Sequence, residues 1–308
     1  MRWVVVVLVA GCFSTPGLRD RDGGGSGDDA DRGDGGGGSD GGTFDSPLAG
    51  CTWIGLGRLV DVAQEDERHP WLSSDGTFLM WWSGDAPGST GVLRQAERPN
   101  LGSPFGTPIQ IYPQSGSTAP IEADPSFEAG LLKMYIKTNS GILSSTRAME
   151  HGVFQNLTTD ANLATVMQTR DVQEGPFITS DGKTFLFVAG ESSDVYNSED
   201  LFIATRATGS GPFGTPQKYE HSVTGMNEGA PTMAGNVLMY ERPTEMGKTE
   251  IVSSIFNGTS FSPPEVVVLP GINAFKQPSL SANGQRLVYV VHDGVEWWIE
   301  EAKLECPP

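Results

Sequence analysis

The sequence predicts an all-β fold, a β-propeller of five four-stranded blades, and three observations carry that prediction. The 308-residue chain holds 40 Gly and 21 Pro, the punctuation that many short strands joined by turns require. One layout of Pro, short strand, tight turn and apolar strand occurs five times from residue 70 onward. Its prolines, Pro70, Pro125, Pro176, Pro231 and Pro278, lie 55, 51, 55 and 47 residues apart. A period near fifty in a β pattern is that of propeller blades. A ring of six blades is the alternative.

The chain opens on a short address. Met1-Arg2 supplies a positive start, and Trp3 to Ala10 is an apolar run followed by Gly11-Cys12. That run is far below the roughly 20 residues of a membrane-spanning helix, and it has the layout of a signal peptide. Val9-Ala10-Gly11-Cys12 resembles a lipobox. The resemblance implies that residues 1–12 are a lipoprotein signal and that Cys12 carries the lipid. Burial of acyl methylenes, each worth about 0.8 kcal/mol, would then hold the chain to a membrane. Residues 13–50 read as a disordered tether. Gly23 to Gly42 is almost entirely Gly, Asp and Ser, which cannot bury enough surface to offset the entropy of ordering. It also lacks the strict nonapeptide period of a calcium-binding repeat. Phe13 after Cys12, in place of the Asp that family experience links to inner-membrane retention, points to the outer membrane.

The propeller domain is expected over residues 51–306. Asp75-Gly76, Asp181-Gly182 and Asn283-Gly284 are hairpin signals, because a two-residue turn of this kind needs φ > 0 at both positions. The strands that follow are apolar on both faces, as Phe78-Leu79-Met80-Trp81-Trp82 shows, which suits a sheet sandwiched between two others. A third strand follows in each unit. Phe105-Gly106-Thr107-Pro108 recurs two units later as Phe213-Gly214-Thr215-Pro216 and marks the turn into a fourth strand. The fifth unit stops near Lys303 without a fourth strand, while Trp53 to Val60 is an orphan strand ahead of the first unit. The N-terminal strand is therefore expected to complete the last blade and close the ring, which removes an open sheet edge. With Cys12 taken by lipid, two of the three Cys remain, in a compartment where disulfides persist. Cys51 precedes the orphan strand and Cys306 follows the last one. If those strands pair antiparallel, a Cys51–Cys306 bridge is expected where other blades have a covalent turn.

The Pro-x-x-Ser-x-Asp-Gly pattern, best kept in the first, third and fifth units, resembles TolB-like propeller repeats over residues 68 to 303. That resemblance implies a blade and no particular activity. Ahead of the repeat prolines stand Glu67, Glu122, Glu174 and Glu228, with Asp124 beside Pro125; the fifth unit has Lys276-Gln277 instead. These residues begin the inner strands and are expected at the mouth of the central channel. There, like charges must be offset by hydrogen-bond donors, basic groups or a cation such as calcium. Glu174-Gly175-Pro176 and Asp124-Pro125 also resemble motifs of arabinanase-like five-bladed glycosidases. In that resemblance Glu174 is the general acid and Asp124 a second carboxylate. The general base is due from the first blade, where this chain reads Arg68-His69-Pro70.

The formal net charge of -18 disfavours nucleic acid, whose phosphates an acidic surface repels. His69, His151, His221 and His292 have no metal-ligand spacing, and no nucleophile elbow or phosphate-cradling loop is present. Trp71, Trp81, Trp82, Trp297 and Trp298 are expected mainly in blade cores. The resulting expectation is a monomeric, lipid-anchored, non-enzymatic module of the cell envelope that needs no cofactor and binds a protein, peptide or glycan at its channel. A carbohydrate-active enzyme, or its degenerate sugar-binding relative, is the alternative.

Overall fold

The computed structural model of the chain describes residues 48–60, 65–84, 91–112, 124–128, 130–138, 141–170, 172–191, 199–223, 225–244, 248–270 and 275–307. Cys12, the expected tether up to residue 47, and Glu122 lie outside the described residues. The first strand, β1 (Thr52–Arg58), precedes five antiparallel sheets. Blade I is β2 (Asp66–Leu72), β3 (Phe78–Gly84), β4 (Val92–Glu97) and β5 (Ile109–Tyr112). Blade II is β6 (Pro125–Phe127), β7 (Lys133–Thr138) and β8 (Gly141–Thr146). Blade III is β9 (Val172–Ile178), β10 (Thr184–Gly190), β11 (Asp200–Thr205) and β12 (Gln217–Lys218). Blade IV is β13 (Gly229–Ala234), β14 (Val237–Pro243), β15 (Thr249–Ile255) and β16 (Glu265–Val266). Blade V is β17 (Phe275–Leu280), β18 (Arg286–His292) and β19 (Trp297–Glu305), completed by β1. The protein is a five-bladed β-propeller.

Blade II has shed most of its outer strand. A single bridge, Ser144 to Thr158, stands in its place, and two 3-10 turns follow at Ala161–Leu163 and Val166–Gln168. Leu163 and Val166 from those turns pack with Tyr135, Phe185 and Phe213, so the segment fills the gap between blades II and III.

Period-2 alternation in the second strands builds the ring. In β3, Met80 and Trp82 join the core containing Phe127 and Ile136 of blade II, while Leu79 and Trp81 join Val288 and Val290 of blade V. Tyr135 of blade II meets Phe185 of blade III with ring centroids 5.3 Å apart. Met239 of blade IV shares a core with Leu287 and Tyr289 of blade V. Both faces of each middle strand are thus buried, which is why these segments read as unbroken apolar runs. A Cβ on Gly91 would lie 2.3 Å from the Trp82 ring; the missing side chain at 91 is what lets that indole lie flat.

Three arginines fasten neighbouring blades. Arg98, Arg147 and Arg206 each follow a third strand, and their Nε donates to a hairpin-turn carbonyl, of Gly76, Leu131 and Gly182. Each guanidinium lies over a ring, Phe105, Phe154 or Phe213, at 4.3–4.7 Å. Each also reaches the preceding blade: Arg98 donates twice to Glu301 at 2.7 and 2.8 Å, Arg147 to Gln95 at 2.8 Å, and Arg206 to Glu128 at 3.4 Å. The repeated Phe-Gly-Thr-Pro turn therefore supplies the aromatic floor of an inter-blade clip.

Closure follows the expected register. Strand β1 pairs antiparallel with β19, from Thr52 opposite Glu305 to Arg58 opposite Glu300. Cys51 and Cys306, the residues just beyond that ladder, form a disulfide with Cα atoms 4.0 Å apart. Gly55 lets β1 pack against the Pro270 ring, since a Cβ there would come within 2.9 Å of it.

Candidate functional site

The inner strands share one irregularity that shapes the channel. In blades I, III, IV and V the ladder slips at the X-Pro step. The X residue there takes a left-handed conformation: His69 at φ 50°, Gly175 at 52°, Ala230 at 43° and Gln277 at 51°. Such bulges bend a strand and re-aim its side chains, and for non-glycine residues they store backbone strain of the kind that gathers at functional sites. The five X-Pro pairs meet around the axis and form a neck of only about 30 Å³. A cavity of about 310 Å³ opens on the strand-start side, sharing His69, Asp124, Gly175, Ala230 and Gln277 with the neck. A smaller mouth opens on the other side, sharing Trp71 and Phe177 with it.

The larger cavity is polar. Asp124 pairs with Nδ1 of His69 and accepts the Gly175 N–H at 3.2 Å. Burial alone would raise its pKa. The charges of His69 and Lys137 and the two hydrogen bonds overrule that and hold it at about 2. Glu174 pairs with Lys137 Nζ at 2.5 Å. Glu241 accepts the Gln277 N–H at 3.1 Å; burial pushes its pKa up, against Lys276 and that N–H. Glu199 is lifted to about 7 by burial and then by the charge of Glu174, with Lys137 opposing. The cavity therefore holds one firmly ionised carboxylate and one carboxyl that is half protonated near neutral pH.

The sequence had grouped carboxylates from different registers. Glu67 and Glu228 stand three residues before their Pro, Glu174 two, and Asp124 one. Glu67 is fully buried, lies opposite Ser83 in blade I, and is not among the cavity walls. In blade I the cavity wall is formed instead by His69, the residue beside the Pro. Glu228 reaches the cavity wall, but its carboxylate accepts from Ser222 Oγ at 2.6 Å and from the N–H groups of Val223 and Leu201. Burial still pushes its pKa up, against those three donors. Asp124 and Glu174 are brought together in the cavity with His69. Among the described residues no group of three His, Cys, Asp or Glu side chains is placed to hold a metal ion.

Sequence reasoning missed Glu199, Glu241 and Lys137, which come from outside the inner strands. Glu241 had a readable signal. It lies directly opposite Gly229 in the β13–β14 ladder, and a Cβ on Gly229 would sit 2.5 Å from its Oε1. A glycine in the inner strand thus gives its place to a carboxylate from the second. The tryptophans divide as well. Trp81 and Trp82 are fully buried, and Trp297 is already stacked on His292 at 4.1 Å with Arg68 4.7 Å from its ring centre.

No family model matches the sequence, and no curated protein matches it. Among solved structures, the chain is similar to an endo-arabinase from Bacteroides thetaiotaomicron. The TM-score is 0.57 at 12% identity, covering 81% of this chain and 97% of that one. It is similar to an α-L-arabinofuranosidase from Podospora anserina solved in complex with cellotriose, with a TM-score of 0.54 at 9% identity over 83% and 97% of the two chains. It also matches TolB from Acinetobacter baumannii, with a TM-score of 0.46 at 13% identity over 84% of this chain; it spans 65% of the TolB chain. The arabinanase-like resemblance read from the sequence has counterparts in fold among solved structures. At these identities the likeness is one of fold.

Proposed function

We propose that the chain is an exported, lipid-anchored, monomeric propeller that binds a protein, peptide or glycan in its polar axial cavity without turning it over. The observation that supports this is the His69–Asp124 pair. His69 occupies the first-blade place where the glycosidase resemblance requires a carboxylate base, and it consumes the second-blade carboxylate as its partner. Glu174, the acid of that resemblance, is itself paired with Lys137. Such internal pairing suits a site that presents fixed charges of both signs to a polar ligand. Residues 1–12 and Cys12 supply export and attachment to an outer membrane, and residues 13–50 supply the tether. The test is a glycan-array and pull-down screen with the purified domain. Capture of a defined ligand that is lost in Glu174→Gln and Lys276→Ala is the expected result. Capture indifferent to both substitutions overturns the placement of the site.

A second reading rests on a different observation. Asp124 held at about 2 and Glu199 lifted to about 7 are two carboxyl groups on one cavity whose environments push them apart, one of the conditions for acid–base work on a glycosidic bond. In that reading Glu199 joins Glu174 and Asp124 as a candidate. Hydrolysis of an aryl arabinofuranoside that disappears in Glu199→Gln is the outcome it requires.

A further inference from the structure

The channel's other mouth has opposite chemistry. Its volume is about 170 Å³, and its wall is made by Trp71, Phe127, Phe177, Met233 and Leu280, one from each inner strand just past the Pro. Trp71 and Phe127 meet at 4.9 Å with their planes tilted by 58°, and both are held in the core, so the wall is aromatic and fixed. The rim is polar and acidic. It includes Asp75 in the first hairpin turn, Glu128 in the second, and Glu150. Glu128 is offset by Arg206 and Lys133. Asp75 is exposed and stays ionised; burial would raise its pKa, but donors from Ser73 and Thr77 hold it below the usual carboxylate range. The neck between the two mouths, about 30 Å³, has room for about one water molecule, so nothing larger passes between them.

We propose that this mouth is a second, separate binding site, and that its ligand is a single aromatic ring carrying an ammonium group. Size selects the ring: an apolar cavity of about 150 Å³ is enough to take up benzene. The wall selects aromatic character, because tilted ring pairs gain energy beyond the area they bury. The rim and the chain's net charge of -18 select the cation, which Asp75 and Glu150 attract and which the aromatic wall also favours. The same chemistry occurs in a free aromatic amine and in the N-terminal aromatic residue of a peptide.

The test is titration of the purified chain with phenethylamine, read by Trp fluorescence and by calorimetry, with phenylacetate as the anionic counterpart. Phenethylamine is expected to bind at one site, with phenylacetate at least tenfold weaker. Ala282→Phe, which fills the mouth from its rim, and Ser180→Trp, which covers it from an exposed position, should each abolish binding while the melting temperature holds. Glu174→Gln, in the opposite mouth, should leave binding unchanged. Phenylalanylglycinamide binding more tightly than phenethylamine assigns the group to a peptide N-terminus, and the reverse order assigns it to a free amine. Absence of phenethylamine binding at millimolar concentration, equal affinity for phenylacetate, or binding that survives both blocking variants overturns the proposal.

Discussion

Glu199 sets the pH behaviour of the cavity. Its folded pKa, about 7, is raised above the unfolded value of about 4.3. The stability linked to it is therefore fully present below about pH 4.3 and is lost as pH rises through 7. Glu199→Gln should remove that loss and make the chain more stable than the parent at pH 8 by about 1 kcal/mol, after allowance for solvent screening. Urea midpoints of the two proteins at pH 5 and pH 8 check this; an equal gap at both pH values contradicts it. Asp124 behaves in the opposite sense. Its pKa of about 2 is depressed, so its contribution is present above about pH 4 and is lost as pH falls toward 2. At this scale the sequence was only partly legible. Asp124 and Glu174 stand one and two residues before a repeat Pro, and that proximity is visible in one dimension. Glu199 and Glu241 arrive from outside the inner strands, and Glu67 and Glu228 hold the same place before their Pro although only Glu228 reaches the cavity wall, so only the fold sorts them.

Blade repeats were legible because each depends on local signals. A Pro at a bulge, an Asp-Gly turn and a strand apolar on both faces all act within about twenty residues. The reduced fourth strand of blade II was not legible, because Leu163 and Val166 gain their value only from Tyr135 and Phe185 in neighbouring sheets. The clips belong to this scale too. The Arg98–Glu301 pair is buried, with both side chains 2% exposed. Arg98→Ala leaves Glu301 without its main partner at the blade I–V junction, and breaking one side of a buried pair costs about 3–5 kcal/mol. The double variant Arg98→Met with Glu301→Leu should recover most of that loss, since replacing both charges avoids a stranded one. Denaturation curves of the three proteins decide the matter. A double variant as unstable as the single one argues against an ion-pair origin. Deleting residues 51–62 strips blade V of β1 and leaves the edge of β19 open; the product should aggregate, and a soluble monomer by light scattering would contradict that.

Within blade V the ring is closed by one ladder and one covalent bond. The Cys51–Cys306 bridge spans 255 residues of sequence, and the chain-entropy model assigns about 5 kcal/mol to closing a loop of that size. Reduction should lower the unfolding midpoint substantially while leaving the far-ultraviolet spectrum of the folded state unchanged. An unchanged midpoint would mean that the β1–β19 ladder alone closes the ring. Attachment is proposed at the same scale: Cys12→Ser should release the chain into the soluble fraction, and a variant still membrane-bound at its normal mature mass would refute the lipid anchor. The proposed function, binding without turnover, rests on His69 standing where the glycosidase resemblance requires a carboxylate. Its most direct test is prolonged incubation of the purified chain with arabinan and aryl arabinofuranosides, read by released product. No product above the uncatalysed background is the predicted result. Turnover that Glu199→Gln or Glu174→Gln abolishes would contradict it.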